Sequence, residues 1–320
     1  VAVLTIIMID IIMPIRSTPL NLLRDTLDSV LNQSTQDFQL WICDDTPEDW
    51  IRWDSYQQLL AEYSEAFGSR WNYQRQTKEG GVAAARNQLL ESSSNPLVAF
   101  LDSDDLWHPL YLTLMSQALE TQEADIWVTE ILSSVSSTHL LELQRLGIPA
   151  EIGMQKIMHN HLQCYEILNF LPRELQKHFW FRAAAYFSGL MCRRKCVDSH
   201  QFSPEFRLAE DTELMLQWVK ADYQVRCLSV DSPLVIKNHW EGQLGNLSQD
   251  PEIMTQVSEL LLARHSDCHI TEEFLATLPH SWKKTFQMFQ RDEGARNRYQ
   301  LNQGMTFNII SRDEWEIMNL

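Results

Sequence analysis

Along the first half of the chain, short apolar runs alternate with longer stretches in which apolar residues recur every three or four positions. The first fifteen residues are apolar apart from Thr5 and Asp10. That segment is too short for a membrane span and has no basic flank, so it reads as a buried first strand ending around Ile11-Ile12-Met13-Pro14. Thr18-Pro19 predicts a helix start, with the hydroxyl as N-cap and proline at the first helical position. Leu20, Leu23, Leu27, Val30 and Leu31 then keep helical spacing and give one face for a sheet. Residues 38–43 form a second strand that runs into Asp44-Asp45. A helix over about residues 50–67 and a strand near residues 71–75 follow, and Gly80-Gly81 opens a helix over residues 82–90. Residues 97–101 are wholly apolar, as in a strand buried on both faces of a parallel sheet. Strand and helix alternating at this spacing predict an α/β fold of the doubly wound kind, with a mostly parallel central sheet flanked by helices.

The second half is more helical. Helices are expected near residues 154–170 and 172–181, the first carrying His159, His161 and Tyr165 and the second His178, Trp180 and Phe181. A strand is expected over residues 234–237. From Pro251 onward Met254, Val257, Leu260 and Leu261 keep a helical face. Trp282, Phe286 and Phe289 share another, flanked by Lys283, Lys284, Arg291, Arg296 and Arg298. Such a basic amphipathic helix suits an anionic membrane surface, although packing on the main domain is the commoner fate. Ser311 with Glu314 resembles a capping box for a last short helix. No internal repeat or low-complexity segment is visible.

Acids gather where the strands end. Asp44-Asp45 closes the second strand, and Asp102-Ser103-Asp104-Asp105 closes the run of residues 97–101. Ligands of open α/β sheets bind outside the carboxyl ends of the strands. Asp102 and Asp104 are two apart, so in an extended chain their carboxylates share one side. Hard oxygen donors grouped in this way suit Mg²⁺ or Mn²⁺, which can also hold a diphosphate. Each acid also has a plainer use: Asp104 or Asp105 as the N-cap of a helix near Pro109, Asp44 and Asp45 as turn residues, Glu210-Asp211 as acids favoured at a helix N-terminus.

Bulk composition narrows the partners. The 320 residues carry a formal net charge of -17, which argues against nucleic acid, whose phosphates need clustered Lys and Arg. A nucleotide diphosphate stays compatible, because a divalent cation reverses the local sign. Six cysteines are scattered without a CxxC pair, as expected of reduced core thiols in a cytoplasmic protein. With Val1 at its start, the sequence reads as a trimmed or domain-cut chain.

Four blocks, in one order, carry a family resemblance. They are residues 21–45 (NLLRDTLDSVLNQSTQDFQLWICDD), 80–87 (GGVAAARN), 100–109 (FLDSDDLWHP), and 187–194 (FSGLMCRR) followed by Phe202 to Phe206 and Ala209-Glu210-Asp211. The set resembles the family 2 glycosyltransferases of GT-A fold over roughly residues 6–130 and 184–240. The resemblance implies a GT-A domain over residues 1–245. Its nucleotide-sugar-binding half is residues 1–130 and its acceptor and catalytic-base half residues 131–245, with a helical C-terminal region over 246–320.

It also implies roles. Pro14 borders the nucleotide base, and Asp45 accepts a hydrogen bond from the base's imide edge. Arg86 and Asn87 lie near the diphosphate or ribose, with Ser103 in the same donor site. Asp102 and Asp104 form the metal-binding DxD, Asp104 as the more direct ligand, and Asp211 is the general base. Glu210 is the neighbouring candidate for that base, and His239 a further candidate metal ligand. Two positions depart from the family. Thr46-Pro47 stands where Gly-Ser is usual, and Arg16 stands where an aromatic is frequent, an arginine that can reach the phosphates instead.

The expected activity is metal-dependent, inverting transfer of a hexose-type sugar from a nucleotide diphosphate, UDP above GDP or dTDP, to a hydroxyl acceptor. That acceptor is a carbohydrate, a lipid-linked sugar or a protein. The implied cofactor is Mn²⁺ or Mg²⁺, and the location cytoplasmic, with peripheral membrane contact as an option. A nucleotide-sugar-binding protein or inactive relative is the non-catalytic alternative. A nucleotidyltransferase is disfavoured, since residues 11–20 contain no glycine.

Overall fold

A computed structural model describes residues 7–77, 81–121, 124–129, 131–133, 187–206, 208–228, 234–238 and 251–265. The expected helices over residues 154–170 and 172–181, Gly80, His239, the basic helix around residues 282–298 and the capping box at Ser311 lie outside the described residues.

The N-terminal elements are β1 (Ile9–Ile15), α1 (Leu20–Leu31), β2 (Phe38–Asp44), α2 (Trp53–Phe67), β3 (Trp71–Arg75), α3 (Gly81–Ser92) and β4 (Leu97–Phe100). After them come β5 (Leu106–Trp107), α4 (Tyr111–Thr121), β6 (Ile126–Thr129) and β7 (Ile131–Ser133). Past the next gap are β8 (Leu190–Arg193), α5 (Arg194–Ser199), α6 (Glu210–Lys220), β9 (Val225–Leu228), β10 (Val235–Lys237) and α7 (Pro251–Arg264). The main sheet has seven strands in the order β3-β2-β1-β4-β8-β6-β9, and β5-β10-β7 form a second, three-stranded sheet. Strands β1, β2, β3 and β4 are mutually parallel, as are β6 and β9; β8 alone runs antiparallel to its neighbours β4 and β6. The expected mostly parallel sheet flanked by helices is therefore present.

This order decides where chemistry can sit. Chain growth runs from β1 through β2 to β3 on one side, then crosses back to place β4 on the other. The switch point thus lies between β1 and β4, and in open α/β sheets a ligand crevice opens there, beyond the carboxyl ends. Because β8 is antiparallel, with Met191 opposite Ala99, its beginning reaches the same edge as the end of β4.

Both faces of the sheet are covered. One core joins Leu23, Leu27 and Val30 of α1 and Tyr56, Leu60 and Tyr63 of α2 to the strands. The other sets Ala83, Ala85 and Leu89 of α3 against Phe100, Phe187, Phe202 and Trp218. Phe100, Phe187 and Phe202 meet with ring centroids 4.9, 5.4 and 5.6 Å apart. Fully burying a phenylalanine stabilises by roughly 1.5–3 kcal/mol, so this cluster is a stiff floor beneath the strand ends. Val257 and Leu261 of α7 belong to the same core as Leu214 and Trp218 of α6, so α7 packs on the body of the main sheet.

Two local expectations need correcting. The N-terminus of α1 has no side-chain cap, and Pro19 occupies the cap position. Thr18 instead meets the Ser103 hydroxyl at 2.6 Å, a partner that local pattern cannot reveal. Strand β4 stops at Phe100, and Asp102 to Asp105 form a turn closed by the Asp105 N–H on the Asp102 carbonyl at 3.2 Å. The extended-chain argument for Asp102 and Asp104 therefore does not describe the backbone there.

Candidate active site

Three strand ends and one helix start meet at the carboxyl edge. From β2 come two acids with different surroundings. Asp44 is fully buried; its carboxylate accepts hydrogen bonds from the Tyr73 hydroxyl at 2.7 Å and the Thr46 N–H at 2.8 Å, and pairs with Arg75 at 2.9 Å. These contacts shape the Thr46-Pro47 loop from within. Asp45 remains partly exposed at the rim, where its carboxylate receives Arg16 at 2.5 Å. Pro14, opposite Cys43 in the register and half-buried, lies one strand over.

The turn after β4 is fixed from several directions. The carbonyl of Ser103 accepts from Thr26 at 3.0 Å, and the Asp102 N–H donates to the Ser188 hydroxyl at 3.1 Å. That hydroxyl donates to Asp105 at 2.6 Å, and Trp107 donates its indole N–H to the Ser188 carbonyl at 2.7 Å. From β10, the Asn238 N–H reaches Asp105 at 3.2 Å and its amide the Asp104 carbonyl at 2.7 Å. Asp105 is thus a buried strut, not a helix cap. Burial pushes its carboxyl up to about 7 against the pull of Lys237, whose ammonium is 3.8 Å from both Asp105 and Asp102.

Arg86 joins α3 to the start of α6 and to the turn after β4. From α3 its guanidinium donates to Glu210 at 2.7 Å and to Asp102 at 2.8 Å. It lies 5.1 Å from the Phe202 ring and 5.6 Å from that of Phe187, and is almost fully buried. Burial disfavours the charged form of Asp102, but Arg86 and then Lys237 outweigh it and hold this carboxyl below its usual range. Glu210 is pushed up to about 7 by burial and by Asp211, with Arg86 opposing. Burial also raises Asp211, with Arg86 and the Thr212 N–H, a 2.6 Å donor, working against it. Glu210 and Asp211 open α6 immediately after Ala209, whose φ of 59° is left-handed and strained for a residue with a Cβ.

Asn87, expected near the diphosphate or ribose, has its amide engaged elsewhere. It donates to the Phe202 carbonyl at 2.7 Å and accepts from the Phe202 N–H at 3.0 Å, fastening the loop that leads to α6. Asp105 was singled out by sequence only as a strand-end acid or a helix cap, and Ser188, Lys237 and Asn238 were not singled out. These three arrive through the antiparallel β8 and through β10, whose placement no local pattern announces.

Among the described residues no three His, Cys, Asp or Glu side chains converge as metal ligands. The donor set still fits a hard cation. Mg²⁺ is commonly held by one or two carboxylates plus substrate phosphates, without a full protein cage, and Asp102 and Asp104 are two such oxygen donors at the mouth of the switch point. Also among the described residues, no helix is long and apolar enough to cross a membrane.

Comparison with known proteins bears on the family and the fold. The sequence model of the family described as Glycosyl transferase family 2 matches residues 10–191. The Escherichia coli UDP-Glc:alpha-D-GlcNAc-diphosphoundecaprenol beta-1,3-glucosyltransferase WfgD is 35% identical over 82 residues, 26% of this chain and 29% of that protein. Matches to the curated relatives span 29–36% of their length. Among solved structures, S. aureus TarS superposes with a TM-score of 0.53 at 15% identity, covering 88% of this chain and 69% of that one. The mannosyltransferase PcManGT from Pyrobaculum calidifontis gives 0.53 at 13% identity, covering 93% and 76%. At such identities the likeness concerns the fold, which is that of GT-A glycosyltransferases.

Proposed function

The chain belongs to glycosyl transferase family 2, and from that premise we propose that it moves a hexose-type sugar from a UDP-sugar to a hydroxyl acceptor with inversion at the anomeric carbon. The observation that carries the reading is that Asp45, the Asp102–Asp104 turn and the Glu210-Asp211 helix start lie at one sheet edge, where Arg86 ties Asp102 to Glu210. TarS has been solved with UDP-GlcNAc and PcManGT with GDP-Man and Mn²⁺. WfgD is named for a UDP-glucose donor and a lipid-linked acceptor. By analogy this chain takes a UDP-sugar and a carbohydrate, lipid-linked or protein hydroxyl.

In this reading Pro14 borders the base and the Asp45 carboxylate accepts the imide N–H of uracil. Asp102 and Asp104 would hold Mn²⁺ or Mg²⁺, which when bound neutralises charge on the departing diphosphate. Inversion in one displacement needs a base on the face opposite the leaving group, and α6 offers two acids. Glu210 is bound to Arg86, so it acts as a strut between α6 and Asp102. Asp211 turns about 100° away along the helix; it takes the acceptor's proton as the hydroxyl attacks. Its burial-raised pKa brings it nearer the working range of a base at neutral pH.

A donor panel tests this. UDP-glucose, UDP-N-acetylglucosamine, UDP-galactose and GDP-mannose are incubated with protein and Mn²⁺, and nucleotide release and new glycosides are read by mass spectrometry. Consumption of one UDP-sugar, with loss in Asp211→Asn, supports the proposal. Binding of the nucleotide with no turnover against any acceptor fraction would favour a binding protein instead.

A further inference from the structure

Arg16 stands where the family often has an aromatic residue, and its surroundings give it two possible partners. It follows β1, the strand flanked by β2 on one side and β4 on the other. The backbone around it is fastened on both flanks. Towards the base side, the Asp45 N–H donates to the Ile15 carbonyl at 2.9 Å, and the Ser17 N–H donates to the Thr46 hydroxyl at 2.9 Å. Towards the metal side, the Thr18 hydroxyl meets that of Ser103 at 2.6 Å. Between these fastenings Ser17 has a φ of 49°, a left-handed conformation that costs a non-glycine residue and that the flanking bonds maintain. Arg16 therefore projects from a fixed point between the end of β2 and the DxD turn.

The neighbouring cations are committed. Arg75 is held by Asp44 and the Thr46 carbonyl, Arg86 by Asp102 and Glu210, and Lys237 lies between Asp102 and Asp105. The Arg16 side chain is 65% exposed and its partner Asp45 32% exposed. A solvent-exposed pair of this kind contributes little net stability and is readily exchanged. A diphosphate offers a guanidinium more charge and bidentate geometry.

We propose that Arg16 exchanges partners. In the free protein it covers Asp45; when a donor enters, it moves to the diphosphate and leaves the Asp45 carboxylate to accept the imide of the base. The inference rests on the reading of Asp45 as the base-recognising residue. Its consequence is that base recognition is coupled to the presence of phosphates. A nucleoside must compete with Arg16 for Asp45, whereas a nucleoside diphosphate removes the competitor itself.

The two ligands then respond to one substitution with opposite signs. Uridine is titrated by ligand-observed NMR and UDP with Mn²⁺ by calorimetry, on wild type, Arg16→Ala, Arg16→Gln and Asp45→Ala. Arg16 is exposed, so both of its variants are expected to fold. In Arg16→Ala, uridine should bind roughly two- to five-fold tighter, the range expected for releasing an exposed ion pair. UDP should bind at least about three-fold weaker in the same variant, and Arg16→Gln should follow both trends. Uridine affinity unchanged or lowered in Arg16→Ala overturns the exchange, as does UDP affinity equal to or above wild type. Asp45→Ala separates the layers. If it weakens uridine while Arg16→Ala fails as described, the base assignment stands and only the exchange is lost; if it leaves uridine unaffected, both fall.

Discussion

Arg86 ties the turn after β4 to the start of α6, and its removal should be costly. Replacing it with methionine keeps bulk against Phe187 and Phe202 but deletes the bonds to Glu210 at 2.7 Å and Asp102 at 2.8 Å. Both acids then face each other's field without their shared cation, and Glu210 is 8% exposed. Deleting one partner of a buried ion pair costs about 3–5 kcal/mol, which corresponds to a fall in melting temperature of roughly 6–20 °C at about 2–4 °C per kcal/mol. The pH response adds a second signature. Glu210 already sits near 7, above its ordinary value, with Arg86 as an opposing influence, so losing Arg86 raises it further. A carboxyl whose folded pKa exceeds its unfolded one binds more protons when folded across that window, and stability falls as pH rises through it. Arg86→Met should therefore be more stable at pH 6 than at pH 8, by a wider margin than wild type. Adding Glu210→Gln should remove that margin and recover at least about 1 kcal/mol, within the usual range for contacting pairs. Equilibrium urea unfolding, followed by tryptophan fluorescence at both pH values in EDTA, reads all of this. A loss below about 1 kcal/mol, or no added pH sensitivity, would refute the buried clamp.

Asp211→Asn keeps size and hydrogen bonding but removes the proton acceptor, so it should leave UDP affinity near wild type and lower transfer by about 10²–10⁴-fold; Glu210→Gln should be milder, and the reverse ranking would move the base to Glu210. Glu213 is buried and receives Ser203 at 3.0 Å, Gln217 at 2.6 Å and His265 at 3.2 Å, so it docks α7 onto α6. Glu213→Ala should cost about 1–3 kcal/mol by removing the acceptor that buried His265 and the partly buried Ser203 and Gln217 share, and hydrogen exchange should show α7 loosened before β1; uniform protection would contradict that docking.

Much of the fold was legible because the relevant information is local. The apolar run of residues 97–101 and the strand near Trp71 announce themselves by composition and length, and the observed strands Leu97–Phe100 and Trp71–Arg75 follow them closely. The acids at the strand ends were legible too, but not their division of labour. Nothing in Asp44-Asp45 says that one is buried against Tyr73 and Arg75 while the other stays at the rim; that follows from the side of β2 facing β3. Thr18 shows the opposite failure. A hydroxyl before proline fits a cap so well that its tie to Ser103, 85 residues along, could not be anticipated. Ser188 and Lys237 reach the site only because β8 and β10 lie beside it, and tertiary pairing of that kind has no signature in a single sequence.

The central claim is that this sheet edge binds a nucleotide diphosphate through a divalent cation held by Asp102 and Asp104. Calorimetric titration of UDP into the purified chain tests it most directly, with Mn²⁺, with EDTA, and in Asp104→Ala. Saturable binding with Mn²⁺ that weakens at least about ten-fold, or 1.4 kcal/mol, both in EDTA and in the folded Asp104→Ala variant is the expected result. No binding of UDP under any condition, or equal affinity in all three, would contradict it.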